Sequence, residues 1–286
     1  MTVGPRALSV PARVEVVTTR GGARAVRDLD AGEVMHPVIG PVAEAESLYV
    51  GASNLARRLT EDHARGDLVL YDVGLGAGSN AVAAFWTAMR APVDARRLTI
   101  VSYERSLDAL ALALAPENRA AFQLAGEAGD AATELLARGE SERERVRWVL
   151  VTGELPATLA LGAAHGLADV VFWDPFSPKQ NPELWGASAF TALRPMCRAG
   201  ATVHTYSRAT AVRAALVLGG FAVGTGQSTG EKESTTVAAV DASSLASPLG
   251  PEWLTRLARS SAPLPPDAPP DAMARIAASP QFRREL

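Results

Sequence analysis

Apolar residues recur along this chain with two periods. Leu68 to Val73, Leu98 to Glu104, Arg147 to Thr152, Asp169 to Asp174 and Thr202 to Tyr206 are short, β-branched and aromatic runs of the kind that form buried strands. Between them, Asn80 to Met89, Leu107 to Leu114, Asp130 to Ala137, Leu155 to Ala164, Glu183 to Met196 and Ala209 to Leu218 carry the Ala/Leu-rich spacing of helices. Such alternation predicts parallel βαβ units. After the last helix, Phe221 to Gly224 and Thr235 to Val240 are joined by a polar loop with no helix, which makes the final pair antiparallel. Ahead of the series, Val14 to Thr18 and Ala25 to Leu29 flank Gly21 and Gly22, predicting a β-hairpin extension over residues 1–45. The α/β domain then occupies 46–242. From Ser243 to Leu286, prolines at 263, 265, 266, 269 and 270 predict a linker-like tail with one short helix from Asp271 to Ala278 and no packed core.

Composition narrows the class without naming a function. The 286 residues are 48% apolar, with 28 Lys and Arg against 31 Asp and Glu, as in a soluble globular protein. The most apolar stretch, Ala157 to Trp173, is broken by His165, Gly166 and Asp169, so no membrane span is expected. The single cysteine, Cys197, cannot form an internal disulfide, and no signal-peptide core precedes the hairpin; a cytoplasmic address follows. Cys197 reads as a small packed hydrophobe. A formal charge of −3 argues against binding nucleic acid by bulk electrostatics, although a local basic face could hold one RNA. The arginine clusters at 57–58, 96–97 and 143–147 read as solvated faces. His36, His63, His165 and His204 lack ligand spacing, so no metal is expected. His36 falls in a segment able to cover a cofactor, and a structural role fits it equally.

The first strand of the α/β series ends in Asp72-Val73-Gly74-Leu75-Gly76-Ala77-Gly78-Ser79-Asn80, at the start of a helical run. Glycines there let the backbone lie against a ligand, and Asp72 can accept hydrogen bonds from the loop or take a ligand ammonium. A dinucleotide fingerprint needs Gly or Ala where Ser79 stands. The second strand ends in Glu104, where a carboxylate can accept from two ribose hydroxyls or simply be solvated. Glu154 follows the third strand; it can face an adenine amine or serve as a helix-start carboxylate. Without a ligand, the glycine loop would be only a tight turn.

Five βα units and a terminal antiparallel hairpin, with this glycine loop, resemble the class I S-adenosylmethionine-dependent methyltransferases. That resemblance implies an α/β, Rossmann-like seven-stranded sheet of order 3-2-1-4-5-7-6 with the last strand antiparallel. It also implies S-adenosyl-L-methionine as cofactor, held by Asp72, Gly74, Gly76, Gly78, Asn80, Glu104 and Glu154.

The fourth strand opens onto Asp174-Pro175-Phe176-Ser177-Pro178-Lys179-Gln180-Asn181-Pro182-Glu183-Leu184-Trp185, whose prolines fix a loop over the carboxyl edge of the sheet. This loop is similar to the Asp-Gly-Phe-x-Pro-x-x-Asn-Pro-x-x-Trp hallmark of the methyltransferase domain of the bifunctional tRNA 5-methylaminomethyl-2-thiouridine biosynthesis family. Glu44, Tyr49, Leu55, the loop from Gly74 to Asn80, Cys197 to Ala201, Thr205 to Ser207, Val212-Arg213 and Gly220-Phe221 extend the likeness over residues 30–240. Pro175 replaces the usual glycine, and Gly230-Glu231-Lys232 keeps only part of a basic segment. The resemblance implies N-methylation of 5-aminomethyl-(2-thio)uridine at the tRNA wobble position by a free-standing enzyme. The tRNA is then the partner, and a separate flavin-dependent or other enzyme supplies the aminomethyl group. Asp174 is the expected proton acceptor, because a neutral amine attacks a sulfonium methyl and must lose a proton. Phe176 can stack on the base or face the sulfonium, or belong to the core. An aminopropyltransferase of the spermidine synthase type uses the same sheet and an aspartate after the fourth strand, and a non-catalytic cofactor-binding homologue is the alternative of a different class.

Overall fold

The computed structural model describes residues 13–36, 40–61, 66–226 and 235–283; His63 and the Gly230-Glu231-Lys232 segment lie outside them. Strands β1 (Val14–Thr18) and β2 (Arg24–Asp28) pair antiparallel with Val16 opposite Val26, and Gly22 takes the left-handed backbone of the turn at φ +83°. A two-residue β3 (Glu33–Val34), too short to leave a periodic signal, adds to β2. Helix α1 (Pro41–Glu44) continues into a π-helical stretch, Ala45–Gly51, followed by α2 (Leu55–Thr60).

The main domain runs β4 (Leu68–Val73), α3 (Ser79–Met89), β5 (Leu98–Glu104), α4 (Asp108–Ala113), α5 (Glu127–Arg138), β6 (Glu140–Glu142), β7 (Val146–Thr152), β8 (Ala168–Trp173), α6 (Ala187–Leu193), β9 (Cys197–Thr205), α7 (Thr210–Leu218), β10 (Ala222–Thr225) and β11 (Thr236–Ala239). Eight strands form one sheet in the order β10-β11-β9-β8-β4-β5-β7-β6. From β7 to β10 this is the expected 3-2-1-4-5-7-6, and β11 is antiparallel to both neighbours. The additional strand, β6, is antiparallel to β7 at the edge; its Glu-Ser-Glu sequence gives no hydrophobic alternation from which to read it.

Alternate residues of each central strand feed opposite faces. Val69, Tyr71 and Val73 join the core under α6 and α7, whereas Leu68 and Leu70 join the core under α3 and α5. The first strand, β4, lies between β5 and β8, so the chain winds outward in both directions from it and leaves a crevice at the carboxyl ends of these three strands.

Two helices expected from sequence are broken. In place of Leu155 to Ala164 a 3-10 segment covers Leu159–His165, because Gly162 packs directly on the Tyr103 hydroxyl and that hydroxyl donates to the Leu159 carbonyl at 3.2 Å. Glu183 to Met196 divides at Gly186 into a 3-10 turn, Pro182–Trp185, α6, and a second turn, Arg194–Met196.

The tail corrects the linker expectation. It forms α8 (Glu252–Arg259) and α9 (Ala272–Ala277), the latter inside the span assigned from sequence, and buries Trp253, Leu257, Ala272, Ile276 and Phe282 in the main core. The prolines separate short helices rather than preventing them, and i, i+4 pairs supply each apolar face. Asp267 accepts from the Ala187 and Ser188 N–H groups at 2.9 and 2.8 Å, capping α6. The Gln281 amide oxygen accepts from the Val223 N–H at 2.7 Å and its nitrogen donates to the Leu249 carbonyl at 2.8 Å.

Arg58 and Arg96 also depart from the solvated faces expected of them. Arg58 donates to Thr202 Oγ1 at 3.0 Å and Arg96 to the Gly66 and Asp67 carbonyls at 2.7 and 3.0 Å, which ties together the amino ends of the strands, away from the crevice. Cys197 is buried as expected, and burial pushes its thiol up to about 12. Among the described residues no helix is long and apolar enough to cross a membrane.

Candidate active site

A cavity of about 550 Å³ fills the crevice, within the range of cofactor pockets. Its floor is the loop after β4. Gly74 (φ +88°) must be glycine, since a Cβ there would stand 2.6 Å from the Asp174 carbonyl oxygen. Gly76 lies at the cavity, and its N–H donates to Glu104 Oε2 at 2.9 Å. Gly78 sits at the turn into α3 against Leu110 and does not line the cavity.

Glu104 stands at the carboxyl end of β5 and lines the cavity. Its Oε1 accepts from the Arg105 and Ser106 N–H groups at 2.9 and 3.3 Å, and with the Gly76 bond three backbone donors hold the carboxylate. Burial pushes its pKa upward against those donors. A carboxylate offers about four acceptor sites, so a free one remains for a ribose hydroxyl. Glu154 is exposed on the cavity wall beside Gly153.

Besides Gly78, two more residues expected at the cofactor do not line the cavity. Asp72 is fully buried and does not line the cavity; it accepts from Ser102 Oγ at 2.8 Å, and the Trp148 indole N–H donates to that hydroxyl at 2.9 Å. The expected bonds from the loop amides to Asp72 are absent, because Gly74 N–H is taken by the Tyr103 carbonyl and Gly78 N–H by the Leu75 carbonyl. Burial raises the Asp72 pKa to about 7. Asn80, in the first turn of α3, is 4% exposed and points its amide at Asp174 Oδ2, 2.7 Å away, rather than into the cavity.

Asp174 is the centre of the polar cluster. Its backbone N–H donates to the Val73 carbonyl at 2.9 Å, which carries the sheet pairing one residue past β8 and fixes where the side chain begins. Oδ2 accepts from Asn80 and faces His36 Nε2 at 3.6 Å, while His36 Nδ1 lies 3.0 Å from Glu44 Oε2. The buried Tyr49 hydroxyl faces Asp174 without closing a hydrogen bond. Burial pushes Asp174 above the usual carboxylate range, with His36 as the leading opposing influence. Phe176 lines the cavity next to it, its carbonyl held by the Trp185 indole N–H at 2.8 Å, and the Tyr206 hydroxyl donates to the Pro175 carbonyl at 3.1 Å.

The N-terminal sheet roofs this cavity. Val14, Asp28 and Gly32 to His36 line it, and Glu33 accepts from the Ser177 N–H at 3.1 Å and from the Ser177 hydroxyl. The extension is therefore a wall of the site.

These features fit a nucleoside with an amino-acid arm. The loop is free of side chains where the backbone must be approached, one buried-edge carboxylate suits ribose, and a polar cluster stands at the far wall. Residues 125–241 match the model of a family described as S-adenosyl-L-methionine-dependent methyltransferase. Over that segment the chain is similar to these methyltransferases. It is 32% identical over 244 residues to the tRNA 5-methylaminomethyl-2-thiouridine biosynthesis bifunctional protein MnmC of Ralstonia nicotianae, covering 82% of this chain and 34% of that protein. The corresponding protein of Methylibium petroleiphilum is 33% identical, with 72% and 32% covered. The methyltransferase thus spans about a third of the length of these curated relatives. MnmC2 from Aquifex aeolicus superposes with a TM-score of 0.70 at 24% identity, covering 92% of this chain and 84% of that one, which shows the fold. The cofactor is S-adenosyl-L-methionine.

Of the residues singled out in sequence, Gly74, Gly76, Glu104, Glu154, Asp174 and Phe176 meet at the cavity of the methyltransferase. Glu33, Met35 and Tyr206 were not anticipated there. Nothing in the spacing of the first forty residues signals that their side chains reach a loop 144 positions later; only the docked sheet does.

Proposed function

We propose that this methyltransferase methylates the nitrogen of a 5-aminomethyl group on the wobble uridine, or 2-thiouridine, of tRNA to give 5-methylaminomethyl. The observation that carries the reading is the loop Asp174 to Trp185, whose Asp and Phe side chains face the same cavity as the glycine loop and Glu104. The names of the MnmC relatives support the nucleoside.

Bound at the glycine loop and Glu104, S-adenosylmethionine supplies an electrophilic methyl group. The chain's own work is to seat the neutral amine with its lone pair toward that methyl, exclude water under the N-terminal sheet, and receive one proton. When bound there, S-adenosylmethionine would supply the methyl and keep the electron pair of its own carbon–sulfur bond; the part of this chain is Asp174, which takes the proton that the methylated nitrogen loses. Among the hydrogen bonds of the described residues none uses Asp174 Oδ1, which is the oxygen assigned to the amine. Phe176 is assigned to the base or the sulfonium, where the negative face of a ring favours a cation. Glu154 is assigned to the adenine amine.

A tRNA substrate carries with it a cytoplasmic location and a second enzyme, flavin-dependent or otherwise, that supplies the aminomethyl group. Mass spectrometry of tRNA nucleosides from cells with and without the protein tests the reading. Loss of the wobble methylaminomethyl group with accumulation of its aminomethyl precursor is the expected result; an unchanged nucleoside profile overturns it.

A further inference from the structure

His36 is not among the residues assigned above, yet its placement is highly specified. Its side chain is mostly buried within the cluster and its backbone is left-handed at φ +53°, a conformation non-glycine residues adopt at a cost. Its two ring nitrogens face two different carboxylates: Nδ1 is 3.0 Å from Glu44 on α1, and Nε2 is 3.6 Å from Asp174 Oδ2 at the end of β8. Strain of this kind persists only where the surroundings over-determine it, and here the ring spans the roof and the floor of the cavity. We propose that His36, clamped by Glu44, is a positioning residue of the methyl-transfer site: its imidazolium keeps the Asp174 carboxylate ionised and occupies Oδ2, which leaves Oδ1 toward the substrate nitrogen. The inference rests on the role given to Asp174 above.

The charges around the pair support this assignment. Asp174 sits among Asn80 from α3, Tyr49 from the π-helical stretch, Tyr206 beyond β9, Glu44 from α1 and Asp72 from β4. Of these, the two tyrosines and Asn80 are neutral; Glu44 raises the Asp174 pKa, and Asp174 in turn raises that of Asp72. His36 is the cation of the group. Burial pulls His36 down, but Asp174, Glu44 and Asp72 outweigh burial and set it above its ordinary value. A base this buried, with carboxylates nearby, would otherwise hold its own proton and could not accept one from the amine.

Two readouts test the inference on the whole protein. The first needs no substrate. The imidazole ¹⁵N resonances, assigned by their loss in His36→Gln, are followed with pH; an imidazolium persisting above the ordinary histidine range is expected, and a His36 that titrates at or below its ordinary value overturns the inference. The second uses a 5-aminomethyluridine anticodon stem-loop and S-adenosylmethionine. The ratio of variant to wild-type kcat/KM, in which the substrate's own ionisation cancels, falls at least tenfold for His36→Gln between pH 9 and pH 6.5. Glu44→Gln, which keeps an acceptor for the ring but removes the charge, falls in the same direction by less. A ratio independent of pH in both variants overturns the role, whether the loss is large or nil; should one variant fail to fold, the other decides. If the wild-type enzyme leaves the stem-loop unmethylated, the proposed substrate fails while the titration still settles the His36 pairing. If Asp174→Asn retains the full rate, the role of Asp174 fails first.

Discussion

Glu33 and Ser177 are joined across the mouth of the cavity, the carboxylate of one accepting both the backbone N–H, at 3.1 Å, and the hydroxyl of the other. This pairing fastens the N-terminal sheet to the loop that carries Asp174 and Phe176. Charge-assisted hydrogen bonds of this kind are among the stronger ones. Glu33→Gln, Ser177→Ala and the double variant should therefore give a coupling energy of about 1 kcal/mol in S-adenosylmethionine binding, measured by calorimetry in a double-mutant cycle. Strict additivity would show that the two sides of the cavity are independent.

Glu104→Ala should weaken S-adenosylmethionine by about 1–3 kcal/mol, through loss of an acceptor for the ribose and release of the Gly76 N–H. The same titration reads the effect, and wild-type affinity would remove Glu104 from the binding site.

For Asp174→Asn, the shape is kept and the acceptor charge is lost. Single-turnover methylation should slow by ~10²–10⁴-fold while cofactor affinity changes little. Loss of cofactor binding without a specific defect in the transfer step would move Asp174 to the cofactor's side of the cavity.

Asp72 gives a prediction about stability and pH. Its folded pKa, about 7, lies above the ordinary 3.8, so between those values the native state binds more protons than the unfolded one. Its contribution is then fully present below about pH 4 and is lost as pH rises through 7. Asp72→Asn should match wild type in urea unfolding near pH 4 and exceed it by about 1–3 kcal/mol at pH 8. Equal stabilities at pH 8 would mean that the carboxylate is not held at a cost.

Removing the cap on α6 separates framework from site. Asp267→Ala should cost about 1–2 kcal/mol in thermal or urea unfolding and leave cofactor affinity unchanged, since the helix it caps lies under the opposite face of the sheet from α3. A parallel fall in affinity would tie the tail to the cavity.

What the sequence conveyed and what it withheld divide along physical lines. β4 and β5 coincide residue for residue with their apolar runs, because a strand buried on both faces writes its length directly into composition. The glycine loop was legible for a similar reason: backbone packed closely on backbone excludes side chains, and Gly74, against the Asp174 carbonyl, records this. Asp72 and Asn80 were misplaced because a motif fixes which residues are near a site, not which way each side chain turns. Asp72 turned to Ser102 on the adjacent strand, and Asn80 to Asp174. The tail was misread since proline density reports on backbone freedom, whereas the Trp253–Phe282 stack, with ring centroids 5.6 Å apart, is a tertiary event. Arg58 and Arg96 likewise found carbonyls that no local pattern reveals.

The roof of the cavity has a consequence for how the protein is made. Its strands emerge from the ribosome early, but the helix they pack on, α4, follows some eighty residues later, and the Ser177 that receives Glu33 follows after 144. At bacterial or eukaryotic elongation speeds that interval is roughly 7–30 s. Until α4 is made, Val14 and Val26 lack the helix they pack on, and through the whole interval the polar cluster around Asp174 is incomplete. The roof is therefore made before the loop it fastens to, and the chamber is completed only when the translation of its own far wall is done.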